Sequence, residues 1–157
     1  FGIGDYIVLG DLEGTVEDIS FRSTKFRTLD NIVVSIENSK VASEYIRNCN
    51  QRQSRLWDFT IGVSYGTPRE TLEALCCDLT ALLQNDPEVI PDKVTVTVDT
   101  FNAYSIDLRC RVYITKTSLA DFLQAKNRLN LQIMDVVHKD GCDFAFPTTT
   151  VEMAGEK

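Results

Sequence analysis

The residues that could do chemistry in this chain are few, and the first is its only imidazole, His138. The sequence HKDGCD, residues 138–143, places that imidazole near two aspartates and a thiol, a donor set that could attract a transition metal. Turn carboxylates and a cysteine at the start of a strand explain the same letters, and the sequence shows no second ligand cluster. We therefore predict no metal site, and we expect His138 beside Lys139 to stabilise the negative end of a helix dipole.

The five cysteines offer a nucleophile, but the sequence lacks the group that would activate it. Cys76 and Cys77 are adjacent within a helical pattern, and no second imidazole exists to serve them as a base. Neither GxxxxGK[ST] nor GxGxxG is present to bind a nucleotide. An odd number of cysteines without CxxC spacing is typical of small buried thiols in a reducing compartment. We expect no enzymatic activity and no cofactor.

A short basic and aromatic stretch raises a different possibility, a surface for single-stranded RNA. The stretch contains three cations and two aromatic rings: Arg22, Lys25, Arg27, Phe21 and Phe26. However, the chain has a net charge of −7 and no longer basic run, which argues against a broad phosphate-binding face. The same cations could instead meet acidic residues of a neighbouring subunit. We expect no nucleic-acid partner, and a soluble RNA-binding or ligand-sensing module is the alternative interpretation.

The elements that must position these residues change character near residue 50. Before it, short apolar runs are separated by turn residues such as Gly14 and the pair Asp30-Asn31. The apolar residues between 16 and 21 break strict alternation, as a bulged strand would. The pattern predicts a small, curved, partly open β-barrel of about five strands, followed by a short helical turn around Val41.

After the polar sequence RNCNQRQSR, strands and helices alternate with clear periods. LWDFTIGVSY, VTVTV and YSIDLRCRVYI each alternate apolar with polar residues and predict half-buried strands. Between the first two, leucines recur at helical spacing, and TPRE predicts a capping box with Thr67 at the N-cap. Ser118 and Asp121 predict the start of a second helix by the same logic. A last strand is expected to begin near Phe144 and to continue through FAFPTTTVEM.

The resulting fold class is mixed β and α+β. An N-terminal small β-barrel is followed by a ferredoxin-like domain of order β-α-β-β-α-β, with both helices on one face of an antiparallel sheet. The predicted limits are 1–50 for the β-domain, 51–56 for a linker and 57–157 for the α/β domain with its C-terminal strand. No apolar run approaches the roughly 18 residues that a membrane-spanning helix needs.

A series of motifs in a fixed order resembles the small-conductance mechanosensitive channel family, the MscS-like channels. The motifs are Gly4-Asp5-Tyr6-Ile7, Gly14-Thr15-Val16 through Ile19, Ser23-Thr24 through Arg27-Thr28 and Asp30, Glu37-Asn38-Ser39-Lys40-Val41, the alternating Phe59-Ile61-Val63-Tyr65, and Gly141 to Pro147. The likeness covers nearly the entire chain. Two positions depart from the family pattern, because Glu37 stands where the family has proline and Ser39 where it has glycine.

The resemblance implies part of a tension-gated ion channel. In such channels the Sm-like domain forms a collar below the cell (inner) membrane, and the ferredoxin-like domains form the walls of a cytoplasmic cage. Seven copies usually assemble, and portals in the sides of the cage filter ions and solutes on their way to the pore. The resemblance further implies that a transmembrane region, in contact with the lipid bilayer, precedes Phe1.

The resemblance also assigns residues. It places Arg55 and Asp58 in or near the portals, and it makes Asn38, Ser39 and Lys40 the collar turn. Because each chain carries a net charge of −7, we expect cations to be enriched inside the assembled cage. The expected partners are therefore other copies of this chain, its own transmembrane region and permeating ions.

Overall fold

The computed structural model describes residues 1–149 and 151–154. The chain divides into two compact units, Phe1–Gln53 and a second unit that begins at Ser54. The domain boundaries expected from the sequence, with a β-domain at 1–50, a linker at 51–56 and an α/β domain at 57–157, stay a prediction. Across the described ranges, the structure has no helix with both the length and the apolar character needed to span a bilayer.

The first unit is a strongly curved antiparallel sheet with one short helix. Its elements in chain order are β1 (Tyr6–Leu9), β2 (Leu12–Ile19), β3 (Ser23–Arg27), β4 (Val33–Glu37), α1 (Asn38–Ser43), β5 (Ile46–Asn48) and a 3-10 turn (Cys49–Gln51). The strand order is β4-β3-β2-β1-β5. Since β1 pairs with both β2 and β5, the end of the meander returns to its beginning, as a small barrel requires.

Two local features bend this sheet. The register between β2 and β3 shifts between Val16 and Asp18, which confirms the predicted bulge. Gly14 is not at a turn, as the sequence had indicated, but inside β2. A Cβ atom there would lie 2.6 Å from the carbonyl oxygen of Arg27, so the close approach of β3 requires glycine. The curvature encloses a small core: Ile7, Leu9, Val16, Phe26 and Val41.

The second unit packs two helices on one face of a three-stranded sheet. Its elements are β6 (Arg55–Val63), α2 (Arg69–Gln84), a 3-10 turn (Pro91–Lys93), β7 (Thr95–Phe101), β8 (Ile106–Ile114) and α3 (Leu119–Lys139). The strand order β6-β8-β7 is antiparallel throughout. Alternate residues of β8 are fully buried against the leucines of α2 and the apolar stripe of α3. The order β-α-β-β-α matches the predicted ferredoxin-like fold up to this point.

The predicted last strand is reduced to a single bridge. Phe144 pairs with Val63, and the backbone N–H of Ala145 donates to the carbonyl oxygen of Gly62 at 2.9 Å. Pairing ends there because Pro147 has no N–H to continue the ladder. The side chain of Phe146 is also 68% exposed, so no apolar face supports an extension. The end of the predicted strand includes position 150, which lies outside the described residues, as do positions 155–157.

The two predicted helix starts have different outcomes. Ser118 is the N-cap of α3, and its side chain accepts a hydrogen bond from the backbone N–H of Asp121 at 3.2 Å, as predicted. The predicted capping box at Thr67 is wrong, because α2 begins one residue later with Pro68 as its N-cap and no side-chain cap. The hydroxyl of Thr67 instead donates to the carbonyl oxygen of Ser64 at 2.8 Å, which turns it toward the preceding loop.

An unfavourable carboxylate lies where α3 ends. Asp140 is the C-cap of α3, and its Oδ2 is buried without a hydrogen-bond partner among the described residues. Burial raises the pKa of this carboxyl, and the neighbouring carboxyl of Asp78 on α2 raises it further, while Lys139 opposes the shift. A negative charge at a helix C-terminus is also disfavoured by the helix dipole.

We expect Asp140→Asn to stabilise the chain at pH 7 and to raise its Tm by a few degrees. The raised pKa means that the folded state holds this proton more tightly than the unfolded state, so the wild type loses stability as pH rises from about 3.8 through the folded-state pKa. The amide cannot ionise and can donate to Asp78. Calorimetry at pH 3 and pH 7 checks this, with the exposed Asp135→Asn as control. A gain at pH 3 as large as that at pH 7 would contradict it.

Candidate functional site

The two portal candidates lie on opposite faces of β6. Arg55 and Asp58 are three positions apart, and side chains alternate between the two faces along a strand, so an odd spacing places them on opposite faces. Arg55 lies on the face that the helices cover: its Nε donates to the carbonyl oxygen of Thr117 at 2.8 Å, and its guanidinium is 5.3 Å from the centre of the Phe122 ring. Asp58 lies on the face that no helix covers. The structure therefore does not bring the two predicted side chains together.

Asp58 is instead shared by two arginines of β8. Arg109 binds it in a two-pronged contact, with Nε 3.0 Å from Oδ1 and Nη2 2.7 Å from Oδ2. Arg111 adds a third hydrogen bond, from Nη2 to Oδ2 at 3.1 Å. Arg111 is the direct cross-strand partner of Asp58, and Arg109 lies two residues further along the same face of β8. We call these three residues the Asp58 cluster.

The Asp58 cluster is half-exposed and has a surplus of one positive charge. The hydrogen bonds from Arg109, followed by those from Arg111 and the charges of both, lower the pKa of Asp58 to about 2, although partial desolvation opposes the shift. Asp58 is therefore fully ionised at neutral pH and is fully compensated. It cannot act alone as an attractor for cations.

More positive charge lies at the same end of this face. Tyr113 shares the outward face of β8 with Arg111, and the Nζ of Lys93 lies 5.0 Å above its ring. The carboxylate on the other end of the strand, Asp107, is held by the Ser105 hydroxyl at 2.6 Å. The outward face of the second sheet is thus divided into a basic end and an acidic end.

The collar-turn candidates form the first turn of α1. The Nδ2 of Asn38 donates to the carbonyl oxygens of Ser20 at 2.8 Å and Phe21 at 3.2 Å, and its Oδ1 accepts from the hydroxyl of Thr24 at 2.7 Å. The backbone N–H of Asn38 donates to the carbonyl oxygen of Arg22 at 2.8 Å. Asn38 therefore fastens the whole β2–β3 turn to the start of α1.

Ser39 and Lys40 have a different environment from Asn38. Both are exposed, and Asn31 is the non-glycine residue whose φ is positive in the described part of the chain. Serine therefore fits at position 39 without strain, although the family pattern has glycine there. The three residues do not act as a unit. Within the part of the chain that the structure describes, Asn38 forms side-chain hydrogen bonds and the side chains of Ser39 and Lys40 form none.

The groups considered for chemistry are spread through the second unit. His138 lies in the last turn of α3, as predicted, and its ring meets the Phe144 ring edge-on at 5.9 Å. Cys110 is fully buried, and burial raises the pKa of its thiol to about 12; burial also raises the pKa of Cys76. Cys77 is exposed. Within the described ranges, no three His, Cys, Asp or Glu side chains are grouped as metal ligands.

The arginines of the Asp58 cluster are the residues that sequence reasoning missed. Both occupy the polar positions of the alternating YSIDLRCRVYI, so their outward direction was readable. Which acidic residue they face depends on the register between β6 and β8, and these strands are separated by α2 and β7. That register was not visible in the sequence.

Comparison with known proteins decides the family. Residues 1–51 match the family model described as "Mechanosensitive ion channel, beta-domain", and residues 57–144 match the one described as "Mechanosensitive ion channel MscS, C-terminal". The chain belongs to the MscS family of mechanosensitive ion channels. Both descriptions name an ion channel rather than an enzyme, and they confirm the resemblance on which the residue assignments depend.

Relatives in the MscS family cover nearly all of the chain. An uncharacterized MscS family protein of Aquifex aeolicus is 35% identical over 150 residues, which are 95% of this chain and 41% of the relative. The small-conductance mechanosensitive channel MscMJ of Methanocaldococcus jannaschii is 31% identical over 151 residues, or 96% of this chain and 43% of the relative. The chain thus spans roughly two fifths of the length of these relatives.

Solved structures confirm the fold. The closed-state MscS of Helicobacter pylori superposes with a TM-score of 0.80 at 20% identity, over 99% of this chain and 60% of that one. Arabidopsis thaliana MSL1 superposes with a TM-score of 0.85 at 17% identity, over 94% of this chain and 53% of that one. The predicted fold class, a small β-domain followed by a ferredoxin-like domain, is confirmed.

The pKa of Asp58 provides a direct test of the Asp58 cluster. We expect its carboxyl carbon to titrate by NMR with a midpoint of about 2, and we expect Arg109→Met to move the midpoint up toward 3.8, since Arg109 contributes most to the shift. The stabilisation from this group is complete above pH 4 and is lost as pH falls through the folded-state pKa. Arg111→Met is the matched control and should move the midpoint less. An unchanged midpoint in both variants would contradict the contact.

Replacement of Asn38 tests its role in the first unit. We expect Asn38→Ala to lower the free energy of unfolding by about 2 kcal/mol, because the Thr24 hydroxyl and two turn carbonyls lose their partner. Urea denaturation measures this. Ser39→Ala, one residue away and exposed, should change the free energy by less than about 0.5 kcal/mol. Equal effects of the two substitutions would show that the hydrogen bonds of Asn38 are not what matters.

Proposed function

We propose that this chain is the vestibule of a tension-gated membrane channel, on the cytoplasmic side of the inner membrane. The observation that carries the proposal is the pair of family matches, a channel β-domain at residues 1–51 followed by an MscS C-terminal domain at 57–144. The chain spans roughly two fifths of the length of these relatives, and in this proposal the pore is formed by the remaining part of such a protein. The comparisons do not favour the alternative of an RNA-binding or ligand-sensing module.

Assembly into a ring of seven copies, the number usual in the family, is part of this proposal. The edge strands β4 and β5 each pair on one side only within the first unit. Unpaired edges are normally covered in a stable protein. Around β4, the large apolar side chains of Phe21, Ile32 and Val33 are 96%, 58% and 45% exposed. Contacts between neighbouring copies would cover both the edges and these side chains.

In this proposal the portals take their charge from more than the two residues assigned to them. Arg55 is held by Thr117 and Phe122, and Asp58 is compensated by Arg109 and Arg111. The enrichment of cations therefore follows from the overall charge of −7 per chain, repeated around a ring. The Asp58 cluster is a local region of opposite sign in which anions are less disfavoured.

Tension-activated current tests the proposal as a whole. We expect the full-length protein, reconstituted in liposomes, to open under suction in a patch pipette, because tension favours the channel state of larger in-plane area. Native mass spectrometry in detergent should give seven copies. Protein that inserts correctly but shows no current at any tension below membrane rupture would overturn the proposal.

Ion preference tests the Asp58 cluster in that channel. Asp58→Asn removes the carboxylate that compensates two guanidinium groups, so we expect the permeability of chloride relative to potassium to rise. The reversal potential in a KCl gradient measures it. Asp135→Asn removes the same charge from the exposed surface of α3 and is the matched control. Equal shifts in the two variants would mean that only total charge matters.

A further inference from the structure

One edge of the second sheet is open along most of β6. Within the part of the chain that the structure describes, β6 pairs with β8 on one side and has only the bridge from Val63 to Phe144 on the other. The register with β8 runs without a shift over all nine residues, Arg55–Val63, and the strand contains no proline. The opposite edge strand, β7, has a register shift between Val98 and Thr100, which protects an edge from further pairing. β6 lacks this protection.

The hydrogen bonds at the end of β6 show which of its backbone groups face the open edge. The N–H of Ser64 donates to the carbonyl oxygen of Asp143 at 3.1 Å, and the carbonyl oxygen of Gly62 accepts from the N–H of Ala145 at 2.9 Å. Gly62 and Ser64 therefore point away from β8. Because this direction alternates along a strand, the same holds for the backbone groups of Leu56, Asp58 and Thr60.

The end of the chain's own bridge leaves these groups without partners. After Ala145, the next residue that would donate to this edge is Pro147, opposite Thr60, and proline has no N–H. In the described ranges, the N–H and C=O groups of Leu56, Asp58 and Thr60 have no hydrogen-bond partner, and the side chains of all three residues are exposed. Six backbone groups are thus available to an added strand.

Cations flank the open part of β6 on both faces of the sheet. On the helix-covered face, Arg55 begins the strand, and the Nζ of Lys126 lies 5.7 Å from the centre of the Trp57 ring. On the other face, the Asp58 cluster adds two guanidinium groups and one carboxylate. Four cations thus accompany one carboxylate, although the whole chain has a net charge of −7. The acidic end of the outward face, at Asp107, lies beside the bridged end of β6 instead.

We propose that the open edge of β6 binds an extended acidic segment of another protein as an added β-strand. Backbone hydrogen bonds to Leu56, Asp58 and Thr60 supply the affinity, and acidic side chains at alternate positions meet the cations on either face. A basic segment of the same shape brings like charges together and is disfavoured. The proposal does not depend on the channel function and is testable on the chain itself.

Three short peptides with blocked ends separate this proposal from simple charge attraction. TEVEVET is acidic and able to form a strand, TKVKVKT has the reversed charge, and TEPEPET keeps the acidic charge while its prolines prevent strand pairing. NMR titration of the 157-residue chain should give saturable shifts with TEVEVET and a dissociation constant in the submillimolar range. The other two peptides should bind at least about tenfold more weakly.

Amide hydrogen exchange shows whether the bound peptide is a strand. In the free chain, the edge-facing N–H groups of Leu56, Asp58 and Thr60 should exchange faster than those of Trp57 and Phe59, which face β8. Saturating TEVEVET should slow exchange at the three edge positions at least about tenfold. If exchange there slows instead as the concentration of the chain alone is raised, a second copy covers the edge and the proposal is wrong.

Substitutions separate the backbone contribution from the charge contribution. Thr60→Pro removes an edge-facing N–H without removing a bond to β8, so it should keep the fold and weaken TEVEVET binding at least about tenfold. Thr60→Val keeps the N–H and should bind as the wild type does. Lys126→Gln should weaken binding about threefold, whereas Lys25→Gln in the first unit should not change it. Equal binding of TEVEVET and TEPEPET, or wild-type binding in both Thr60→Pro and Lys126→Gln, would overturn the proposal.

Discussion

One-sided burial of the second sheet is the constraint on which the rest of this unit depends. Helices α2 and α3 cover one face, so the residues of β6 and β8 on that face are apolar except for Arg55 at the start of β6, and the residues between them remain available to charged side chains. Arg55 and Asp58 are separated by this constraint rather than joined by their closeness in sequence. The cluster that Asp58 does form is a product of strand pairing across β6 and β8.

The parts of the fold that could be predicted are those set by local periodicity. Alternation located the strands of the second unit, apolar runs between turn residues indicated those of the first, and helical spacing with the Ser118 cap located α3. The missed features depend on partners that are distant in sequence. Gly14 is required by the backbone of β3, and the hydroxyl of Thr67 bonds the preceding loop instead of its helix. The final strand differs, because Pro147, a local signal in the sequence, ends its pairing with β6 after a single bridge.

The same limit applies to the candidate sites. The sequence identified Asp58 and Asn38 through a family pattern, but the pattern carries no information about the hydrogen bonds that each makes. The structure distinguishes Asn38, which joins three carbonyls and a hydroxyl, from its exposed neighbours Ser39 and Lys40.

The burial of the thiols has a practical consequence for measurement. Cys110 lies fully within the core and Cys142 is 2% exposed, and the raised pKa of each leaves little thiolate at neutral pH for an alkylating reagent. Cys77, by contrast, projects from the outer surface of α2. A maleimide dye or spin label would therefore react selectively there in preference to the core, and would give the second unit a reporter group without any engineered cysteine.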